Sequence, residues 1–139
     1  MADDAIERRE QLAEQADYHA RALERRREQE SAQAQLLVDD FVRRATAAGL
    51  PTEELTARPW SGGGRYRTGI VGWYLRRDHS IGVDAEGHYY VLSVAPQTFG
   101  RWRTVTVEPS PPPLISGVGA RDGESAPLAE LLELRLVWT

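Results

Sequence analysis

The feature that most constrains the fold is a run from residue 3 to residue 48 that contains neither proline nor glycine. Most of its residues are Ala, Glu, Arg, Gln and Leu, which have the highest helix propensities. At several places an acidic residue precedes an arginine by four positions, an arrangement that stabilises a solvated helix. Gly49 and Pro51 then end the pattern. The run predicts one long N-terminal helix, or two helices with a flexible connection between them.

A thin apolar seam follows heptad spacing along the first half of this helix and is interrupted at Arg27 and Glu30. A long polar helix needs tertiary contacts to be stable in water. The seam therefore predicts a coiled-coil arm that self-associates or docks on a partner, a homodimer being one possibility. The alternative is a mostly solvated helix. The predicted self-association residues are Ile6, Ala13, Ala16, Ala20 and Leu23.

The second half of the helix is more apolar, with a stripe that includes Leu37, Val38 and Phe41. This stripe predicts packing against a sheet. We accordingly assign residues 1–35 to a projecting or self-associating arm and residues 36–139 to a compact α+β domain.

Residues 72–92 are rich in aromatic and β-branched residues and contain two polar turns, at 78–79 and 84–87. Alternation of apolar residues predicts three short strands in a meander. We expect two more strands, a short edge strand at 54–58 and another at 104–107, with Gly69 and Gly72 as bulges.

A final amphipathic helix is expected at 126–136, with Ser125 as its N-cap. The predicted fold class is therefore α+β: a long N-terminal helix, a strongly curled antiparallel sheet of about five strands, and a short C-terminal helix. The second half of the long helix and the C-terminal helix should cover one side of the sheet.

The composition excludes several classes of function. The chain has no Cys, which rules out disulfides, thiolate nucleophiles and Cys-ligated metals. A net charge of −4 argues against binding nucleic acid by bulk electrostatics. All 17 basic residues are Arg, which is typical of a GC-rich bacterial genome. The N-terminus does not resemble a secretory signal and no apolar run is long enough for a membrane span, so we expect a cytoplasmic protein.

No catalytic motif is recognisable, so we expect no enzymatic activity, cofactor or metal. His79 and His88 lie beside acidic residues, but their spacing matches no standard metal motif, and turns favour Asp and Gly for conformational reasons. One alternative is a small-ligand-binding protein or hydrolytic enzyme with a pocket near the 84–88 and 121–125 turns. Its candidate residues are Asp84, His88, Asp122 and Glu124.

Arginines alternate with aromatic residues at three places along the predicted sheet. Both residue types are enriched in protein interfaces. The leading interpretation is a non-enzymatic interaction module that docks or dimerises through its N-terminal helix and presents this sheet surface to a protein partner. An alternative is single-stranded nucleic-acid binding by the same surface. The predicted partner-binding residues are Arg65, Arg67, Tyr74, Arg76, Arg77, Tyr89, Arg101 and Arg103.

Three segments carry a resemblance to a known group of proteins: residues 72–80, the turn at 84–90, and residues 111–114 with 119–125. Together they resemble a family of small uncharacterised proteins of high-GC Gram-positive bacteria, over roughly residues 36–135. The resemblance implies no activity, cofactor or catalytic residue. It does suggest that residues 121–125 are more than a linker.

Overall fold

A computed structural model describes residues 2–116 and 125–138. The predicted α+β class is confirmed: a long helix is followed by a five-stranded sheet and a short helix. The elements are α1 (Ala2–Ala47), β1 (Glu53–Pro59), β2 (Tyr66–Tyr74), β3 (Ile81–Asp84), β4 (Tyr89–Val91), β5 (Ser93–Val94), a 3₁₀ turn (Gly100–Trp102), β6 (Ile115–Ser116), β7 (Ala126–Pro127) and α2 (Leu128–Val137).

The long helix α1 is continuous and ends where the sequence predicts. Gly49 adopts a left-handed conformation, with φ +68°. The Leu50 backbone N–H donates to the Ala45 carbonyl at 2.9 Å, which is the closing hydrogen bond of a Schellman motif. This turn directs the chain back towards β1, so that the second half of α1 lies over the sheet.

The main sheet has the strand order β4-β3-β2-β1-β5. Neighbouring strands are antiparallel except β5, which is parallel to β1. The prediction of a purely antiparallel, strongly curled sheet is therefore wrong: the sheet is mixed and not curled. Bulges were expected at Gly69 and Gly72. Only Gly69 lies in one.

At the bulge, β2 has two residues, Thr68 and Gly69, that have no partner on β1. Gly69 has φ +73°, which a residue with a side chain rarely adopts. The Thr68 hydroxyl fills the gap by donating to the Leu55 carbonyl at 2.5 Å. It also accepts from the Ile70 N–H at 3.1 Å. Gly72, by contrast, pairs regularly with Asp84 on β3.

Apolar side chains are buried on both faces of the sheet. On one face, the α1 residues Ala34, Val38, Phe41 and Ala45 pack with Trp73 and with residues of β3 and α2. The Phe41 and Trp73 rings meet edge to face, with centroids 5.7 Å apart. Arg44 of α1 forms an ion pair with Glu133 of α2. The opposite face buries a second cluster, Leu55, Tyr74, Tyr90 and Leu92, and Ile70 and Val107 pack against it.

Three predicted elements differ in the structure. Residues 54–58 lie in β1, which is longer than predicted and is internal because β5 pairs with its outer side. The predicted strand at 104–107 is reduced to a single bridge between Thr104 and Arg67. The C-terminal helix begins at Leu128 and is preceded by Pro127 rather than capped by Ser125, because β7 occupies the intervening residues. Residues 117–124 lie outside the described residues.

Candidate interaction surfaces

The first 28 described residues of α1 form a projecting helical arm. From residue 2 to residue 29 every side chain is exposed except the partly buried Ala22. Within the described residues, the hydrogen bonds between α1 and the body begin at Glu30, whose Oε1 accepts the Leu114 N–H at 3.1 Å. At 1.5 Å per residue the arm extends about 42 Å beyond the body. All five predicted self-association residues lie on it, and Ile6 and Leu23 are 52% and 48% exposed.

The exposed seam of the arm continues the face of α1 that the body covers. From Ala16 the seam advances in steps of three and four residues through Leu23 and Glu30 to Ala34, the first buried residue of α1. Beyond Ala34 the same stripe reaches Phe41 and packs against the sheet. One side of α1 is therefore covered by the body over its second half and open over its first half.

The structure separates the eight predicted partner-binding residues into three groups. Arg65, Arg67, Arg101 and Arg103 are exposed at the end of the sheet where β2 begins. Arg76 and Arg77 follow the other end of β2, beside α2. Tyr74 and Tyr89 are buried, so a partner at the surface would not contact their rings.

The first group forms part of what we term the aromatic–arginine surface. Its rings belong to Trp60, Phe99 and Trp102, which are between 66% and 76% exposed. The full set is Trp60, Arg65, Arg67, Phe99, Arg101, Trp102 and Arg103. Sequence reasoning did not select the three rings as site residues. Trp102 does lie in the alternation of arginines and aromatic residues, between Arg101 and Arg103, whereas the one signal for Trp60 and Phe99 was their position in or beside glycine-containing turns.

Contacts between side chains and the backbone hold this surface together. The segment that carries Phe99 and Trp102 is fixed by the Tyr66 hydroxyl, which accepts the Gln97 N–H at 3.1 Å. Gly100 lies so close to the Tyr66 ring that an added Cβ would be 2.6 Å from it. Arg101 joins the two loops, because its Nη2 donates to the Gly63 carbonyl at 2.8 Å. The Phe99 and Trp102 ring centroids are 6.0 Å apart.

A cleft of about 590 Å³ lies at the other end of β2, between residues 75–78 and α2. Arg76 and Arg77 line it together with Trp138, and the Arg77 guanidinium lies 4.9 Å from the centroid of that ring. Arg76 also donates to the Ser116 carbonyl at 3.2 Å.

The pocket predicted between the sheet and the C-terminal helix was expected to contain Asp84 and His88, which do not line this cleft. Asp122 and Glu124, predicted for the same pocket, lie outside the described residues.

Asp84 organises the turn between β3 and β4 instead. Its carboxylate accepts the backbone N–H groups of Glu86 and His88 at 3.0 and 2.9 Å. It also contacts the His88 ring and accepts the Tyr90 hydroxyl, each at 2.9 Å. Burial alone would raise the pKa of Asp84, but the hydrogen bonds from His88 and Tyr90 together lower it.

The same contacts act on Tyr90 in the opposite direction. Burial and the hydrogen bond to the Asp84 carboxylate raise the pKa of Tyr90 to about 12.

No three His, Cys, Asp or Glu side chains come together as a possible metal site within residues 2–116 and 125–138. The contacts of Asp84 satisfy the backbone N–H groups of the turn between β3 and β4.

We expect the Asp84–Tyr90 contact to produce a decline in stability at alkaline pH. Because the folded-state pKa of Tyr90 is raised, its contribution is fully present below about pH 10, the ordinary tyrosine value, and is lost as the pH rises towards 12. Urea unfolding of the wild type and Tyr90→Phe at pH 8 and pH 11 tests this. The advantage of the wild type over the variant should shrink at pH 11, and a constant difference would contradict the assignment.

Taken together, these features define an α+β protein with a projecting helical arm and a basic, aromatic end surface. In the described part of the chain, no helix is long and apolar enough to cross a membrane. No protein-family model matches the chain, and no significant similarity is found to curated proteins or to solved structures.

Proposed function

We propose that this protein is a non-enzymatic interaction module that forms a homodimer through its N-terminal arm. The observation that carries this proposal is that the seam of the arm continues the buried face of α1, while none of residues 2–116 and 125–138 covers it. In the dimer each body presents its aromatic–arginine surface at a distance from the other.

An uncovered arm of this length is costly to maintain as a helix. Isolated helices are marginal in water, and most helical stability in proteins comes from packing of an apolar face. Because Ile6 and Leu23 are about half exposed, burying the remainder would contribute up to about 1.5 kcal/mol for each side chain. The alanines between them let two backbones approach closely, so the seam suits a second helix better than a sheet or loop.

The position of the body favours an antiparallel pair. In a parallel pair the second helix would run along the seam into the space that the first body occupies from Ala34 onward. In an antiparallel pair two arms of equal length cover each other and stop short of both bodies. This register places Ile6 opposite Leu23 of the second copy and Ala13 opposite Ala16.

Charges within the seam fit the same register. Arg9 is the least apolar residue near the middle of the seam, and antiparallel pairing places it opposite Ala20 of the second copy. Asp17 and Glu24 flank Ala20 at three and four residues on the helix surface. The small alanine leaves room for the arginine stem, and the two carboxylates can receive its guanidinium.

A single substitution in the seam tests the proposal. We expect Leu23→Gln to raise the dimer dissociation constant about 100-fold, because two copies each lose about 1.5 kcal/mol of apolar burial. Leu36→Gln is the matched control: Leu36 is 69% exposed and lies on the opposite side of α1. Analytical ultracentrifugation over a concentration series measures the dissociation constants of both variants.

A truncated chain that starts at Ala32 should be monomeric with a folded body.

The pairing direction can be tested separately because the chain has no Cys. Antiparallel pairing predicts that Ile6→Cys and Leu23→Cys chains form a disulfide when mixed, while neither forms one efficiently alone. Parallel pairing predicts the reverse. A wild type that remains monomeric at high micromolar concentration would overturn the proposed function, whereas a parallel dimer would overturn only the antiparallel arrangement.

A further inference from the structure

The aromatic–arginine surface combines two properties that do not depend on the arm. The segments 59–67 and 97–104 that form it contain four arginines and no Asp or Glu. The remaining 13 arginines and 21 acidic residues of the chain give −8, so this small positive area belongs to an otherwise acidic protein. A polyanion would be attracted to this surface and repelled by the rest of the molecule.

The rings at this surface stand out from the body. Trp60, Phe99 and Trp102 are each about two-thirds exposed or more, which is unusual for three large aromatic side chains in two adjoining loops. Phe99 has a left-handed backbone, with φ 59°, a conformation that is uncommon for a residue of its size. It precedes the 3₁₀ turn that places Trp102 6.0 Å from its ring.

We infer that this surface binds single-stranded nucleic acid. Exposed flat rings stack on unpaired bases without regard to sequence, and neighbouring guanidinium groups contact the phosphates. Arg65, Arg67 and Arg103 supply such groups around the rings, while Arg101 also fixes the two loops to each other. Paired bases are not accessible to the rings, so a duplex would make only the phosphate contacts.

An acidic protein segment is the competing occupant, and the geometry favours it less. Aromatic anchors in protein interfaces insert into well-packed pockets of the partner, which an extended acidic segment does not provide. Stacking on the three rings requires only the flat face that every base has.

Fluorescence anisotropy with a labelled 20-nucleotide oligo(dT) or oligo(U) tests the inference on the full chain. At low salt we expect binding that weakens as salt is added, with a log–log slope no steeper than about −2.8, since four arginines each release about 0.7 counterion on a single strand. Trp102→Ala should weaken binding about tenfold or more. Arg103→Gln should reduce the slope by about 0.7.

The matched control is Arg77→Gln, because Arg77 is exposed but lies at the other end of β2. We expect it to leave the affinity unchanged, and circular dichroism should show that every variant is folded. The inference is overturned if no oligonucleotide binds at low salt, if duplex and single strand bind equally, or if Trp102→Ala has no effect. Binding of poly-Glu without binding of oligonucleotide would likewise overturn it in favour of an acidic protein partner.

Discussion

Replacing Phe41 with alanine should lower the free energy of unfolding by about 3–5 kcal/mol, because a buried ring is removed and a cavity remains. Phe41 is 1% exposed and meets Trp73 edge to face. It lies in the cluster that joins α1 to the sheet and to α2. A domain of this size has a total stability of about 5–15 kcal/mol, so the loss would be a large fraction of it.

The measurement is urea unfolding followed by circular dichroism and tryptophan fluorescence. Leu36→Ala is the control on the same helix: Leu36 is exposed, and its truncation should change stability by about 0.5 kcal/mol or less. Comparable losses in the two variants would contradict the assignment of Phe41 to the core. The arm lies outside this core, so a loss of dimerisation in Phe41→Ala at low urea would also be unexpected.

The sequence predicted α1 well because the signals for this helix are local. The absence of Pro and Gly up to residue 48, and the pair Gly49 and Pro51, define both the extent and the end of α1. The apolar stripe around Phe41 identified the part of α1 that packs on the sheet. These patterns depend on residues within one or two helical turns, and no distant contact overrides them.

The sheet was harder to predict because strand pairing is not local. Nothing in the two residues Ser93 and Val94 indicates that they pair with β1 in a parallel direction. Thr104 to Val107 has high β propensity, yet it serves mainly as a cover for the second face of the sheet, with Val105 buried. Propensity describes how well a residue fits a half-buried pleated surface, and packing against a sheet face satisfies the same residues.

Prediction of the candidate site residues is limited in the same way, because the local sequence does not show which side chains of the sheet are exposed. Alternation of arginines and aromatic residues identified four arginines that are exposed together, but it also selected Tyr74 and Tyr89, which are buried on opposite faces of the sheet. Because both faces are covered where β2 pairs with β3 and β3 with β4, alternation in that region does not separate surface from core. The exposed rings Trp60 and Phe99 are in turns, where no periodicity applies.

Replacing Gly72 with alanine should destabilise the protein by about 3 kcal/mol or more, because the added Cβ has no space. It would lie 2.1 Å from the Val83 carbonyl oxygen and 2.7 Å from the Asp84 Cα. Both are backbone atoms of β3, which pairs with β2 at this position. The clash can be relieved only by separating the two central strands, so the cost includes their hydrogen bonds and the packing on each face.

Gly63→Ala provides the control, because the nearest atom to its added Cβ is the flexible Arg101 Nη2, at 3.6 Å. We expect that change to alter stability by about 0.5 kcal/mol or less in urea unfolding. Separation of β2 from β3 would also displace Asp84, which pairs with Gly72 and accepts the Tyr90 hydroxyl. In any Gly72→Ala protein that remains folded, the pKa of Tyr90 should therefore fall below about 12. An unchanged Tyr90 titration together with wild-type stability would show that the two strands tolerate a side chain here.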